Sequence, residues 1–117
     1  MKLYGIPNCD TVKKARVWLD GHGIEYEFCD FKKQGVTELQ LANWLKQVGW
    51  QRLLKKTGPT WGKLPQEVKD SIRDDASALA LMLEKPNVIK RPVLVQNGKV
   101  LATGFNEQEY DALEPKN

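Results

Sequence analysis

The chain is poor in the residues from which metal centres and disulfide scaffolds are built. Two cysteines, Cys9 and Cys29, and one histidine, His22, stand among 117 residues. Their spacing matches no zinc-ligand pattern, so no metal is expected. Two cysteines make no disulfide framework. Cys9 at the end of one strand and Cys29 in the next are expected to stay free thiols in a reducing compartment. No apolar run is long enough to cross a bilayer. The N-terminus lacks a basic segment followed by an apolar one, so neither a membrane partner nor a signal peptide is expected. Repeats, low-complexity tracts and a linker to a second domain are also lacking. The expectation is one soluble cytoplasmic domain over residues 1–117.

What is present suffices for a core. Hydrophobic residues make up 41% and charged residues 28%, so the chain can bury apolar surface without covalent staples. The net charge of +3 is unevenly spread: basic residues exceed acidic ones up to residue 66, and acidic ones slightly exceed basic ones beyond it. The basic half contains Lys13-Lys14, Lys32-Lys33 and Lys55-Lys56. These pairs suit an anionic small molecule or an acidic partner, or are simply solvated surface lysines. No nucleic-acid motif accompanies them, so no nucleic-acid partner is expected.

Residues 2–6 read as a strand and Thr11 to about His22 as a helix with Val12, Ala15 and Leu19 on one face. Residues 25–31 read as a second strand, which makes a βαβ unit with parallel strands. The middle reads as helical. Thr37 is the expected cap of a helix over 38–48, with Leu41, Ala42, Leu45 and Val48 inside. A short segment over 50–56 stops at Gly58-Pro59, and a helix follows from about Pro65 to Ile72. Asp75 is the expected cap of a helix over 76–84, apolar on nearly every side and so expected to be well buried. Strands at 92–96 and 99–102 flank Asn97-Gly98, a strong hairpin signal. Asn106 then opens a last helix, with Glu109 completing a capping box.

Cys9 carries the chemistry. A thiol where a strand ends and a helix begins lies against free N–H groups and the positive end of the helix dipole, which favour the thiolate. The plainer reading is a small apolar residue in a loop. Cys29, in an aromatic strand, reads as core. His22 reads as a surface residue at a helix end, two to three turns from Cys9 and beyond proton-transfer reach. The tryptophans read as packing residues, with Trp61, expected in a turn, the one candidate for a binding surface.

The segments Tyr4–Thr11, Asp30-Phe31-Lys32-Lys33, Lys90-Arg91-Pro92-Val93 and Gly104-Phe105-Asn106-Glu107 together resemble the ArsC/Spx family, and most closely its YffB-like branch. The resemblance covers essentially the whole chain. It implies an α/β, thioredoxin-like fold of order β-α-β … β-β-α with a helical insertion over about residues 37–86. It implies a reactive cysteine at Cys9, an arginine at Arg91, and a cis-proline at Pro92 that offers backbone groups to an extended thiol substrate. Arg91 supplies a permanently charged fork for a carboxylate, an oxyanion or a sulfur anion.

Departures from the family matter as much. Spx and the thioredoxins carry a second cysteine three residues after the first, where this chain has Val12, so resolution is expected from glutathione. The arsenate reductases of the family use three arginines. Arg91 matches one, Lys55 stands near the second, and neutral Thr103-Gly104 falls near the third. Asp10, beside the thiol, partly counters its activation. The expectation is therefore a glutathione-dependent thiol reductase with Cys9 catalytic and Asn8, Thr11, Lys13, Lys55, Arg91 and Pro92 binding substrate or glutathione. Glutathione is a co-substrate, no cofactor is bound, and the second substrate is a small disulfide or an oxyanion. The alternatives are a non-catalytic module with a protein partner, as Spx binds RNA polymerase, or a weak arsenate reductase.

Overall fold

The computed structural model describes residues 1–113. In chain order it runs β1 (Lys2–Gly5), α1 (Asp10–Gly21), β2 (Glu27–Asp30) and the single turn α2 (Phe31–Gln34). Then come α3 (Glu38–Val48), α4 (Trp50–Leu53), α5 (Pro59–Gly62), α6 (Gln66–Ser71) and α7 (Asp75–Glu84). The chain returns through β3 (Val93–Gln96), β4 (Lys99–Thr103) and α8 (Glu107–Asp111). Its contacts fall into two units: residues 1–35 with residues 91–113, and residues 36–90. Among the described residues no helix is long and apolar enough to cross a membrane.

The first unit is a four-stranded sheet of order β2-β1-β3-β4. β1 pairs parallel with β2, from Lys2↔Glu27 to Gly5↔Asp30. It pairs antiparallel with β3, where Leu3 faces Leu94. β3 and β4 form the expected hairpin, with a bulge between Leu94 and Val95. Asn97 and Gly98 turn it with positive φ angles of 54° and 80°, which suit those two residue types in a tight hairpin. On one face, Leu3, Leu94 and Ala102 from the strands pack with Ala15 and Leu19 from α1 and Tyr110 from α8. Tyr110 is fully buried, with the rings of Trp18 and Phe105 set edge-on against it at 5.3 and 4.9 Å. Asn106 caps α8 by accepting from the N–H groups of Gln108 and Glu109.

β2 ends one residue short of the expected strand. The Asp30 carboxylate accepts from the Lys32 N–H at 2.8 Å, and that local bond turns the chain into α2. Phe31 therefore enters the core from a helical turn and stacks on Tyr4 at 6.3 Å between centroids.

In the second unit Thr37 caps α3 as expected, and Gln40 completes a reciprocal capping box. Leu41, Trp44 and Leu45 are buried, whereas Ala42 is exposed. The expected face was thus off by part of a turn: Trp44 adds more buried area than alanine and takes the inward position. The cap of α7 is Asp74 rather than Asp75. Asp74 accepts from the Ser77 N–H at 2.8 Å, while Asp75 accepts from the Trp50 N–H at 3.0 Å. α7 is not buried all round. Ala78, Leu81 and Met82 face inward, while Ala80 and Leu83 are exposed. Uniform apolarity cannot reveal a face, because no polar stripe marks the outside. Gly58-Pro59 was expected to be a stop, yet Pro59 starts α5, where its fixed φ and missing N–H suit a first turn. Trp61 accordingly sits on a helical turn, and the Lys56 ammonium lies 5.7 Å from its ring and 5.8 Å from that of Trp50.

Candidate active site at Cys9

Cys9 is itself the N-cap of α1, because the helix starts at Asp10, one residue earlier than its apolar pattern suggested. Its backbone is extended, at φ −90° and ψ 126°. The Cys9 N–H donates to Ile6 O at 3.3 Å, closing the loop from β1, and its carbonyl accepts from Lys13 N–H at 3.0 Å. Helix and strand meet at Gly5. A Cβ there would lie 2.7 Å from Cγ2 of Val12, a fully buried side chain in the first turn of α1. The bare backbone of Gly5 thus lets that turn sit directly on β1, which sets where Cys9 stands.

Arg91, half-buried, precedes β3, and the Arg91–Pro92 peptide is cis. Pro92 is buried, and its carbonyl accepts from the Gly104 N–H at 2.8 Å. Val93 pairs with buried Thr103. The start of β3 and the end of β4 are therefore tied together, and this part of the site is neutral at Thr103-Gly104.

The Cys9 thiol is the point on which these groups act. Burial alone pushes its pKa up. The Val12 N–H, a hydrogen bond from the Arg91 side chain, the Thr11 N–H and the Arg91 charge outweigh burial, so the thiol ionises below its ordinary range. Cys29 behaves oppositely. It is 3% exposed, and burial, then the charge of Glu27, push its pKa up. Its Sγ lies 3.8 Å from a Glu27 carboxylate oxygen. Both cysteines are free thiols. One is prepared to be an anion and the other to stay neutral.

The remaining candidate residues are more dispersed. Asn8 is exposed in the turn before Cys9, and Thr11 acts through its backbone. Lys13 is exposed one turn along α1 and lines a groove there. Lys55 belongs to the second unit, where its N–H donates to Val88 O at 2.7 Å. Asp10, exposed, opens the first turn of α1. His22 is the C-cap of that helix and stacks on Trp18 at 3.8 Å. No group of three or more metal-ligating side chains occurs among the described residues.

The sequence pointed to the free N–H groups of the first helical turn without singling one out; the Val12 N–H is the one that does most to lower the thiol's pKa. The signal was available: with Cys9 as N-cap, Val12 is the third helical residue, whose N–H is unsatisfied within the helix and points at the cap side chain.

A parallel βαβ start, an antiparallel hairpin, a cis-proline before that hairpin and an N-cap thiol held by Arg91 define a thioredoxin-like α/β thiol protein. The chain belongs to the ArsC family, whose sequence pattern matches residues 4–113. It is similar to a solved protein named YFFB, at 45% identity over 95% of this chain and 96% of that one, with a TM-score of 0.87. It is also similar to an arsenate reductase (ArsC) related protein from Brucella melitensis, at 48% identity over 96% and 92% of the two chains and a TM-score of 0.76. Among curated proteins, the regulatory protein MgsR of Bacillus subtilis is 29% identical over 99% of this chain and 91% of its own. Arsenate reductase-like proteins, a redox kind, and regulators thus share this architecture.

Proposed function

We propose that this protein is a cytoplasmic, glutathione-dependent thiol reductase working through Cys9 alone. The observation that carries the reading is the thiolate at the α1 N-terminus, favoured over burial by the Val12 and Thr11 N–H groups and by Arg91. The Cys9 thiolate attacks the glutathionyl sulfur of a mixed disulfide. The S–S bond breaks, the other half leaves as a thiolate and takes a proton from water, and a Cys9–glutathione disulfide remains. A second glutathione thiolate attacks the glutathionyl sulfur of that disulfide. Oxidised glutathione leaves, and the Cys9 thiolate is restored. Two glutathiones supply the two electrons. In this reading Arg91 and Lys13 hold glutathione carboxylates, and Pro92 offers its backbone to the extended ligand. Asn8 and Thr11 steady the loop and the anion.

The test is mass spectrometry after exposure to oxidised glutathione. A single adduct on Cys9, removed by reduced glutathione, is expected. A Cys9–Cys29 bridge as the main product contradicts the scheme.

A second reading is a protein-binding module without catalysis, supported by the extended similarity to MgsR and to proteins named as Spx transcriptional regulators. That role needs no activated thiol. Alkylation of Cys9 with a midpoint no lower than that of a free thiol favours this reading over the enzyme.

A further inference from the structure

Beyond the thiol, the sheet unit carries an open groove of about 580 Å³ lined by Lys13, Lys14, Val17, Trp18, Phe105 and Glu107. It lies along α1, the helix that Cys9 caps. Its floor is apolar and aromatic: Trp18 and Phe105 both lean on buried Tyr110 and are held by it. Val17 is 71% exposed, an unusual position for a large aliphatic side chain on a helix whose other outward residues are mostly charged. Lys13 and Lys14, both exposed, form one rim, and Glu107 stands on the other side.

This groove suits glutathione poorly. Glutathione is polar throughout and has no side chain to place on Val17, Trp18 and Phe105. A polypeptide does. Val17 is eight residues from Cys9, about 12 Å along the helix axis, a distance that an extended peptide covers in about four residues. The lysine rim calls for carboxylates on that peptide, by charge complementarity.

We infer that the oxidised substrate of Cys9 is a polypeptide whose cysteine is held in a mixed disulfide with glutathione, bound through an apolar side chain that seats on Val17, Trp18 and Phe105 and through an acidic residue that meets Lys14. The inference rests on the thiol-reductase reading and specifies its substrate. Glutathione remains the resolving thiol, and the groove selects what Cys9 attacks first.

The test uses mixed disulfides between glutathione and three thiols. The first is an acidic peptide with a leucine three residues before its cysteine and aspartates flanking that leucine. The second is the same peptide with lysines in place of the aspartates. The third is N-acetylcysteine. Cys9 attacks the glutathionyl sulfur, the S–S bond breaks, and the peptide leaves as a thiolate that takes a proton from water, so one turnover is read without any reductant as the Cys9–glutathione adduct in mass spectrometry. The acidic peptide should react about two- to fivefold faster than the basic one, the effect of one exposed lysine contact. Lys14→Glu should narrow or reverse that ratio, and Val17→Glu should slow both peptides. Both positions are exposed, so neither change threatens folding. The N-acetylcysteine disulfide should react at the same rate with both variants and the wild type. Equal rates for the two peptides, or a preference untouched by both variants, would overturn the groove assignment while leaving the thiol chemistry standing. Failure of all three disulfides to react at Cys9 would refute the reductase reading and the groove with it.

Discussion

Replacing Gly5 with alanine probes how the strand positions the thiol. The new Cβ would stand 2.7 Å from Val12 Cγ2 and 3.4 Å from Val12 Cγ1, the first well inside van der Waals contact. Gly5 and Val12 are both buried, Val12 completely, and Val12 is β-branched with little rotamer freedom in a helix, so it cannot swing away. The first turn of α1 must lift off β1, at the cost of an overpacked core, about 1–3 kcal/mol. That same turn supplies the Val12 and Thr11 N–H groups that favour the Cys9 thiolate. Two readouts should therefore move together: urea denaturation should show the lost stability, and alkylation of Cys9 at mildly acidic pH should slow. Val12→Ala removes both Cγ atoms that the new methyl meets. Alone it should cost a cavity penalty of about 1–3 kcal/mol. Combined with Gly5→Ala, the total should fall short of the sum by about 1–3 kcal/mol, because the methyl fills the space vacated. Strict additivity, or a Gly5→Ala protein with unchanged stability and unchanged Cys9 reactivity, would refute the idea that this contact sets the site.

Other outcomes follow from the same geometry. Arg91→Ala removes a charge-assisted bond to the thiolate worth about 1.5–3 kcal/mol, so glutathione-dependent turnover should fall roughly 10- to 150-fold. Full activity with a collapsed melting temperature would show Arg91 to be structural. The Cys9 thiol ionises at lower pH when folded than the ordinary 9.0. Its contribution to stability is therefore complete above pH 9.0, and is lost as pH falls through the folded thiol's own titration. The stability difference between wild type and Cys9→Ala, measured by urea denaturation, should widen as pH rises across that window, and a constant difference contradicts the activation. Arsenate reduction should be feeble beside reduction of a small mixed disulfide. Arg91 is the arginine that acts on the thiol, and buried Thr103 with Gly104 stands neutral beside Pro92. Higher kcat/KM for arsenate would reverse that ranking.

The element order, the Asn97-Gly98 hairpin, the Thr37 and Asn106 caps and the exceptional place of Cys9 were legible in the sequence. Each is a local signal, carried by turn chemistry, capping residues or hydrophobic period. Tertiary structure decided what local signals cannot carry. Trp44 displaced Ala42 from the inner face of α3. Asp74 took the α7 cap while Asp75 bonded to Trp50, and α7, apolar along its length, received an inside and an outside. The site divides in the same way. Cys9 was visible because a thiol at a strand–helix junction has a local electrostatic meaning. The direction was expected from the helix N-terminus; how strongly burial opposes the anion was not legible, and the summed effect of Val12, Thr11 and Arg91 outweighs it. Arg91 is 82 residues from Cys9 along the chain, and only the pairing of β1 with β3 brings it to the thiol. Charges and N–H groups act through space at a few ångströms, a distance that residue order does not record.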